Sequence, residues 1–141
     1  MKSAYGLEIP ETIRELVNPK HCALIVYDMQ AGIVRQIKDG PAITARVKQM
    51  LDVARTAGMR VFHTRHLSLP KQLMGAFQFR QAMSWQRVDD PEKVQPWFLR
   101  DSPAFQIVNE LGPLPSEAVF DKFTRSQNSS TGIAQSGALT N

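Results

Sequence analysis

The chain has 141 residues, 43% of them hydrophobic, which is enough apolar material for one buried core and predicts a single domain. Its net charge is +4, but basic residues are interspersed with acidic ones, so the charge does not indicate a nucleic-acid-binding protein. The sequence has no apolar stretch of about 18 residues, no signal-peptide core and a single cysteine, so we expect no membrane partner and a cytoplasmic location.

The first predicted elements are a short helix and a buried strand. The helix begins at Pro10, followed by an acidic residue, and ends before Asn18. The apolar run from Ala23 to Tyr27 then ends abruptly at the carboxylate of Asp28. Such a run is typical of a strand covered on both faces in a parallel sheet. Because chemistry in open α/β sheets collects beyond the carboxyl ends of strands, Asp28 is a candidate site residue.

A crossover helix and a second strand follow. We expect the helix to begin at Pro41 and to end at Gly58. Its apolar residues recur at helical spacing: Ile43, Val47, Met50, Leu51 and Ala54. The run from Arg60 to Thr64 is the second strand, and a right-handed crossover places it parallel to the first and beside it.

Residues 66–103 form an excursion that is rich in large apolar side chains. They are Met74, Phe77, Phe79, Met83, Trp85, Trp97, Phe98 and Leu99. These residues could fill the core around one or two short helices, because aromatic residues usually pack inside. They could also form a lid or specificity loop over a site, because long connections in compact domains are often functional. The two interpretations are compatible, and the sequence leaves both open.

The third strand follows an extended segment or short helix at 105–111 and a proline-rich turn. This strand spans 117–122 and ends at Lys122. We predict a doubly wound parallel sheet in which the Ala23 strand lies between the Arg60 strand and the Ala118 strand. Asp28 and Lys122 should then face each other at the carboxyl edge, with their charged groups within about 8 Å.

Four segments in a fixed order connect the chain to a known family. They are Asp28-Met29-Gln30, Arg60–Arg65, Phe105–Leu111 and Asp121-Lys122. From about residue 12 to residue 124 the chain resembles the isochorismatase-like cysteine hydrolases, which include nicotinamidases, N-carbamoylsarcosine amidohydrolases, and biuret and ureidoacrylate hydrolases. The resemblance implies a Rossmann-like, three-layer α/β fold whose C-terminal half is missing from this chain.

The resemblance also implies the chemistry of the site. The family uses an Asp, Lys and Cys triad, and its first two members match Asp28 and Lys122. The carboxylate would accept the thiol proton, the lysine would favour the thiolate, and the thiolate would attack the carbonyl of a small amide or ureide. We assign substrate binding to Arg65 and Gln30, and a structural role to Asp121, whose side chain alternates to the opposite face of its strand.

The third triad member has no counterpart in this sequence. Its only cysteine is Cys22, six residues before Asp28 on the same predicted strand. At about 3.3 Å per residue the two would lie roughly 20 Å apart, whereas a nucleophile and its base must lie about 3 Å apart. We therefore expect Cys22 to be a packed thiol and the chain as given to be an inactive, truncated hydrolase.

We expect no cofactor and no metal. Nicotinamidases bind zinc through an Asp-x-His pair, but the corresponding positions here are His63-Thr64-Arg65-His66, which lack that pattern. Two histidines three residues apart, on a strand and the loop after it, do not converge well on one ion by themselves.

The end of the sequence differs in composition from the rest. All 17 basic and 13 acidic residues precede residue 126. We predict a partial hydrolase domain at 1–126 and an atypical, disordered tail at 127–141. The alternative to a truncated hydrolase is a non-catalytic binding or regulatory partner of an intact paralogue, and either form could be a homo-oligomer. An unrelated α/β ligand-binding domain is less favoured, because no GxGxxG or P-loop pattern follows a strand.

Overall fold

A computed structural model describes residues 1–123 as an α/β fold with a three-stranded parallel sheet. The strands are β1 (Lys2–Ala4), β2 (Leu7–Ile9), β3 (Ala23–Tyr27), β4 (Arg60–His66) and β5 (Ala118–Lys122). The helices are α1 (Ile13–Leu16), α2 (Ala31–Val34), α3 (Gly40–Thr56) and α4 (Ala76–Gln86). Short 3₁₀ turns span Lys71–Leu73, Pro91–Lys93, Pro103–Phe105 and Asn109–Leu111. None of the helices in this part of the chain is long and apolar enough to cross a membrane.

The order of strands in the sheet is β3-β4-β5, with every neighbour parallel. Ala23 is in register with Arg60, and Phe62 with Ala118. The predicted order, with the Ala23 strand in the middle, is therefore wrong. The rules for adjacency and for crossover handedness place consecutive strands side by side. They do not predict on which side of the first two strands the third strand is added. Here both crossovers step the same way across the sheet.

Helix α3 packs against β3 and β4 and contributes Leu51 and Ala54 to the core. It includes Pro41 in its first turn, as predicted, and Gly58 follows its end with a φ of 69°. The buried core residues are Val26, Leu51, Ala54, Val61 and Leu111. α3 and the 3₁₀ turn at Asn109–Leu111 thus contribute to one core cluster together with β3 and β4.

Two features near the N-terminus differ from the prediction. Strand β3 is less covered than expected: Val26 is buried, but Tyr27 is 42% exposed, because β3 is an edge strand within residues 1–123. A hairpin of β1 and β2 precedes it and was not predicted. Its turn residues Tyr5 and Gly6 both have positive φ, as a tight hairpin turn requires, but Tyr-Gly is not the usual signal for such a turn.

The aromatic-rich excursion at 66–103 contains both core residues and exposed ones. Val94 and Phe98 are buried, whereas Phe77 and Trp85 on α4 are 64% and 44% exposed. Two hydrogen bonds join the start of this segment, just after β4, to its later part: the Ser68 N–H donates to the Phe98 carbonyl, and the Phe98 N–H donates to Ser68 Oγ. The excursion is thereby held beside the carboxyl edge of the sheet.

A buried cluster of charged side chains joins α3 to β4 and to the segment that enters β5. Glu117, at the entrance to β5, accepts hydrogen bonds from Arg55 Nε (2.7 Å) and Nη2 (2.9 Å) and from the Leu114 N–H (3.0 Å). The Nε2 of fully buried His63 lies 2.9 Å from the same carboxylate. The Arg55 guanidinium is the main cause of a drop in the Glu117 pKa to about 2.

This depressed pKa predicts a loss of stability in acid. A carboxyl group whose folded pKa lies below its ordinary 4.5 stabilises the fold above that pH, and the contribution fades as pH falls from 4.5 toward 2. At about 1.4 kcal/mol per pKa unit, the contribution is up to about 3 kcal/mol. In urea unfolding, Glu117→Gln should lower the free energy of unfolding by about 1–3 kcal/mol near pH 7 and by much less near pH 3. Glu92→Gln, at an exposed turn, should change neither value; an equal loss for Glu117→Gln at both pH values would contradict the assignment.

The sheet edges predict association between copies of the chain. Within residues 1–123, β3 and β5 each have a strand partner on one side only, and a sheet edge of this kind favours pairing with another chain. We expect light scattering after size exclusion to show a mass that rises with concentration. Val119→Lys, at a 37% exposed position of β5, should reduce this rise, because a lysine on an edge strand discourages strand pairing. Leu73→Lys, at a 67% exposed turn position, is the matched control and should not. A monomer at every concentration would contradict the prediction.

Candidate functional site

The candidate site is an ion pair at the carboxyl edge of the sheet. The Nζ of Lys122, at the end of β5, lies 2.6 Å from Oδ2 of Asp28, which follows β3. Both side chains are largely withdrawn from solvent, with exposures of 2% and 14%. The predicted proximity is confirmed even though β4 separates the two strands. Strand spacing is about 4.8 Å, so the lysine side chain is long enough to cross the intervening strand.

The carboxylate of Asp28 is held in place by the central strand. Thr64 Oγ1 donates a hydrogen bond of 2.8 Å to its Oδ1, and the Asp28 N–H donates to the Thr64 carbonyl at 3.1 Å. Asp28 itself has a φ of 51°, a left-handed conformation that aspartate tolerates better than most residues. The sequence analysis did not identify Thr64, and a buried threonine on a strand has no pattern that would reveal this contact.

The ammonium of Lys122 has a second partner in the aromatic ring of Tyr27, whose centroid lies 4.4 Å away. A ring face attracts a cation, and the attraction is stronger where water is excluded. The pair therefore presents a carboxylate that can accept a proton, next to a fixed positive charge that would stabilise an anion formed beside it.

The side chain of Gln30 forms hydrogen bonds with the backbone of two distant segments. Its side chain is fully buried, and Nε2 donates to the carbonyls of His66 (2.9 Å) and Phe105 (2.8 Å). Its Oε1 accepts from the His66 N–H at 2.6 Å. Both the oxygen and the nitrogen of the Gln30 side-chain amide are already hydrogen-bonded to backbone groups. This geometry argues against the substrate contact predicted for Gln30. The residue joins the end of β4 to the 3₁₀ turn that ends at Phe105.

Arg65 faces away from the Asp28 carboxylate. Its Nε and Nη2 donate to the two carboxylate oxygens of Asp121 at 2.7 and 3.1 Å, and its guanidinium lies 4.3 Å from the centroid of the Phe105 ring. It lines a separate depression, not the cleft beside Asp28. The substrate-anchoring role predicted for Arg65 is therefore unsupported, whereas the structural role predicted for Asp121 agrees with its pairing.

The two histidines of β4 lie in different surroundings. His63 is buried against Glu117, on the side of the sheet that α3 covers. The His66 ring lies between Trp85 and Phe98, with centroid distances of 5.2 and 5.7 Å in edge-to-face geometry. Burial is the main cause of a lowered pKa at His66, and the charge of Lys122 lowers it further while Asp28 partly offsets the shift. Their placement gives no common point for a metal ion.

An open cleft of about 510 Å³ lies in front of Asp28. Its walls include Tyr27, Ile33, Ile37, Trp85, Trp97 and Phe98. The volume falls within the range of about 300–1,000 Å³ that is usual for small-molecule sites. The excursion at 66–103 thus supplies one wall of the cleft, as its interpretation as a specificity segment predicted, while other parts of it fill the core.

Cys22 lies far from this cleft. It immediately precedes β3, at the opposite end of that strand from Asp28, and its thiol donates a hydrogen bond of 2.7 Å to the Leu16 carbonyl. Six residues of extended chain correspond to about 20 Å. The local packing of this thiol agrees with the expectation that it is not a nucleophile.

Solved structures of similar fold come from several bacteria and an archaeon. A cysteine hydrolase from Pseudomonas syringae pv. phaseolicola matches with a TM-score of 0.60 and 21% identity, over 84% of this chain and 56% of that one. An N-carbamoylsarcosine amidase from Thermoplasma acidophilum matches with a TM-score of 0.58 and 14% identity, over 82% of this chain and 61% of that one. An isochorismatase from Pseudomonas putida KT2440 matches with a TM-score of 0.51 and 23% identity, over 92% of this chain and 61% of that one.

These similarities show a shared fold, and the chain spans 56–61% of the length of the three proteins. None of the curated proteins matches the sequence. The family model of the isochorismatase domain matches residues 22–136, which extends past the predicted domain boundary at residue 126. Since this match covers well over half of the sequence, the chain belongs to the isochorismatase family of hydrolases.

Proposed function

We propose that this chain provides the base and the cation of a cysteine hydrolase that cleaves a C–N bond in a small amide or ureide. The observation that supports the proposal is the contact of 2.6 Å between Lys122 Nζ and Asp28 Oδ2 at the edge of the cleft. Both side chains are mostly shielded from water, so their effect on a neighbouring reacting group is stronger than it would be at an exposed surface.

The proposed reaction is nucleophilic acyl transfer. The Asp28 carboxylate accepts the proton of a cysteine thiol, and the Lys122 ammonium stabilises the resulting thiolate. The thiolate sulfur forms a bond to the substrate carbonyl carbon, the C–N bond breaks, and the nitrogen leaves with a proton as ammonia or an amine. Water then hydrolyses the thioester of an amide substrate, or the thiocarbamate of a ureide, which releases the carboxylic or carbamic acid and restores the thiol.

The thiol would have to come from outside this 141-residue sequence. Cys22 is its only cysteine and lies about 20 Å from Asp28 along the strand. Within residues 1–123 the free side of β3 adjoins the Asp28 end of the sheet, and the next strand of a doubly wound sheet would add there. The end of such a strand would deliver a nucleophile beside the carboxylate.

The chain as given should therefore release no ammonia from nicotinamide, biuret or N-carbamoylsarcosine. Without a thiol near Asp28 the covalent route is closed. Cys22→Ser should leave this result unchanged, and mass spectrometry should detect no acyl adduct on the unaltered chain. Turnover by the purified chain that disappears in Cys22→Ser would overturn the placement of the nucleophile outside this sequence.

A chimera tests the proposed roles directly. The region of the Pseudomonas syringae cysteine hydrolase that follows its matched part would be joined after Phe123, which supplies the remaining strands of the same fold. We expect the chimera to hydrolyse at least one amide or ureide of a small panel. Asp28→Asn and Lys122→Met should each lower kcat by about 10²–10⁴-fold, the usual range for a general base.

The matched control is Asp52→Asn, which removes an exposed carboxylate that pairs with Lys48 on α3. Its chimera should retain full activity, because exposed pairs contribute little to stability. A chimera that folds cooperatively but stays inactive would contradict the proposed function. It would instead favour a non-catalytic partner of an intact paralogue, for which the one-sided pairing of β3 within residues 1–123 offers a docking edge.

A further inference from the structure

The cleft beside Asp28 has walls that are mainly apolar and aromatic. Trp85 on α4, together with Trp97 and Phe98 farther along the excursion, forms one wall. Ile33 and Ile37 also line the cleft. Trp85 and Trp97 are 44% and 39% exposed, so each side chain still has surface that a ligand could cover.

The charged side chains in and next to this cleft form ion pairs within the chain. Among the described residues that line it, Asp28 alone has an acidic or basic side chain apart from the imidazole of His66. The Asp28 carboxylate faces Lys122, and that ammonium is 2% exposed and held between the carboxylate and the Tyr27 ring. Arg65, the basic residue that precedes His66, is bound to Asp121.

The imidazole of His66 adds hydrogen-bonding capacity and no positive charge near neutral pH. Its ring packs edge-to-face against Trp85 and Phe98, and burial lowers its pKa. Gln36, another polar side chain of the lining, donates its amide to the Gly32 carbonyl at 2.7 Å. A substrate carboxylate placed against these walls would therefore lose its hydration without gaining a cation.

We propose that this cleft selects an uncharged amide or ureide whose side group is aromatic or bulky aliphatic, and that it discriminates against substrates with a carboxylate. The inference rests on the proposed function, since it assumes that the scissile carbonyl lies beside Asp28 and Lys122. The side group then extends along Trp85, Trp97 and Phe98, where apolar contact with the rings is favourable. A carboxylate in the same position would be buried without a partner.

Binding to the full 141-residue chain tests this proposal without any turnover. The three probes are benzamide, acetamide and 4-carboxybenzamide, which share the amide and differ in the ring and the charge. Ligand-observed saturation-transfer NMR is suitable, because it tolerates association of the protein. We expect the Kd of benzamide to be at least about 10-fold lower than that of either other probe, since ring contact and an unpaired charge each change affinity by about this factor or more.

Single substitutions of residues that line the cleft test whether benzamide binds there. Trp85→Ala and Trp97→Ala should each weaken benzamide by about 5–10-fold and leave acetamide nearly unchanged, because each removes ring contact and no polar contact. Trp85→Phe should keep most of the affinity and shows whether a loss in Trp85→Ala reflects contact or misfolding. Phe77→Ala is the matched control, because Phe77 lies on the same helix, is 64% exposed and does not line the cleft.

Equal affinity for the three probes, or loss of benzamide binding in Phe77→Ala alone, would overturn the inference. The outcome is separable from that of the proposed function. Selective benzamide binding with an inactive chimera would retain the ligand class and reject the hydrolytic role. An active chimera whose rate depends on Asp28, combined with no preference among the probes, would retain hydrolysis and reject the ligand class.

Discussion

The ion pair between Asp28 and Lys122 depends on the register of three parallel strands. Tyr27 pairs with Thr64 and His66 pairs with Lys122, so the carboxyl ends of β3, β4 and β5 meet at one edge. A shift of β5 by one residue would send the lysine to the other face of the sheet. Because a buried charge without a partner is costly, each group of the pair also helps to keep the other strand in its register. The register of the three strands therefore determines both the geometry of the site and the stability of this edge of the sheet.

The side chains of the last four residues of β4 alternate between the two faces of the sheet and have different partners on each face. Thr64 and His66 face the cleft, where they bind Asp28 and pack against Trp85. His63 and Arg65 face the other side, where they meet carboxylates of the chain that enters and forms β5. This separation follows from the alternation of side chains along a strand. It keeps the structural ion pairs from competing with the lysine for the carboxylate of the site.

Local patterns predicted the three parallel strands, helix α3 and the two charged residues of the site, but not the order of the strands or the distant partners of polar side chains. The apolar run before Asp28 and the periodicity of α3 are properties of neighbouring residues, so the sequence shows them. The side of β4 on which the third strand pairs is a choice between two arrangements of similar local geometry, and it was predicted wrongly. The side-chain partners of Gln30 and Arg65 are 36 or more positions away along the chain. A polar residue at a strand end looks the same in the sequence whether its partner is a substrate or the backbone.

In the proposed function the pair is only part of the site, because Asp28 follows an edge strand of residues 1–123. In a doubly wound sheet the ligand crevice opens where the winding reverses, between the first strand and the one added on its free side. The order β3-β4-β5 places that point next to Asp28, so residues 1–123 form one wall of the crevice. Lys122 reaches Asp28 from two strands away, on the β4 side of β3. In the proposed reaction, a nucleophile on the outer side of β3 would lie nearer to the Asp28 carboxylate than to the Lys122 ammonium. The carboxylate would accept its proton, and the ammonium would stabilise the resulting anion.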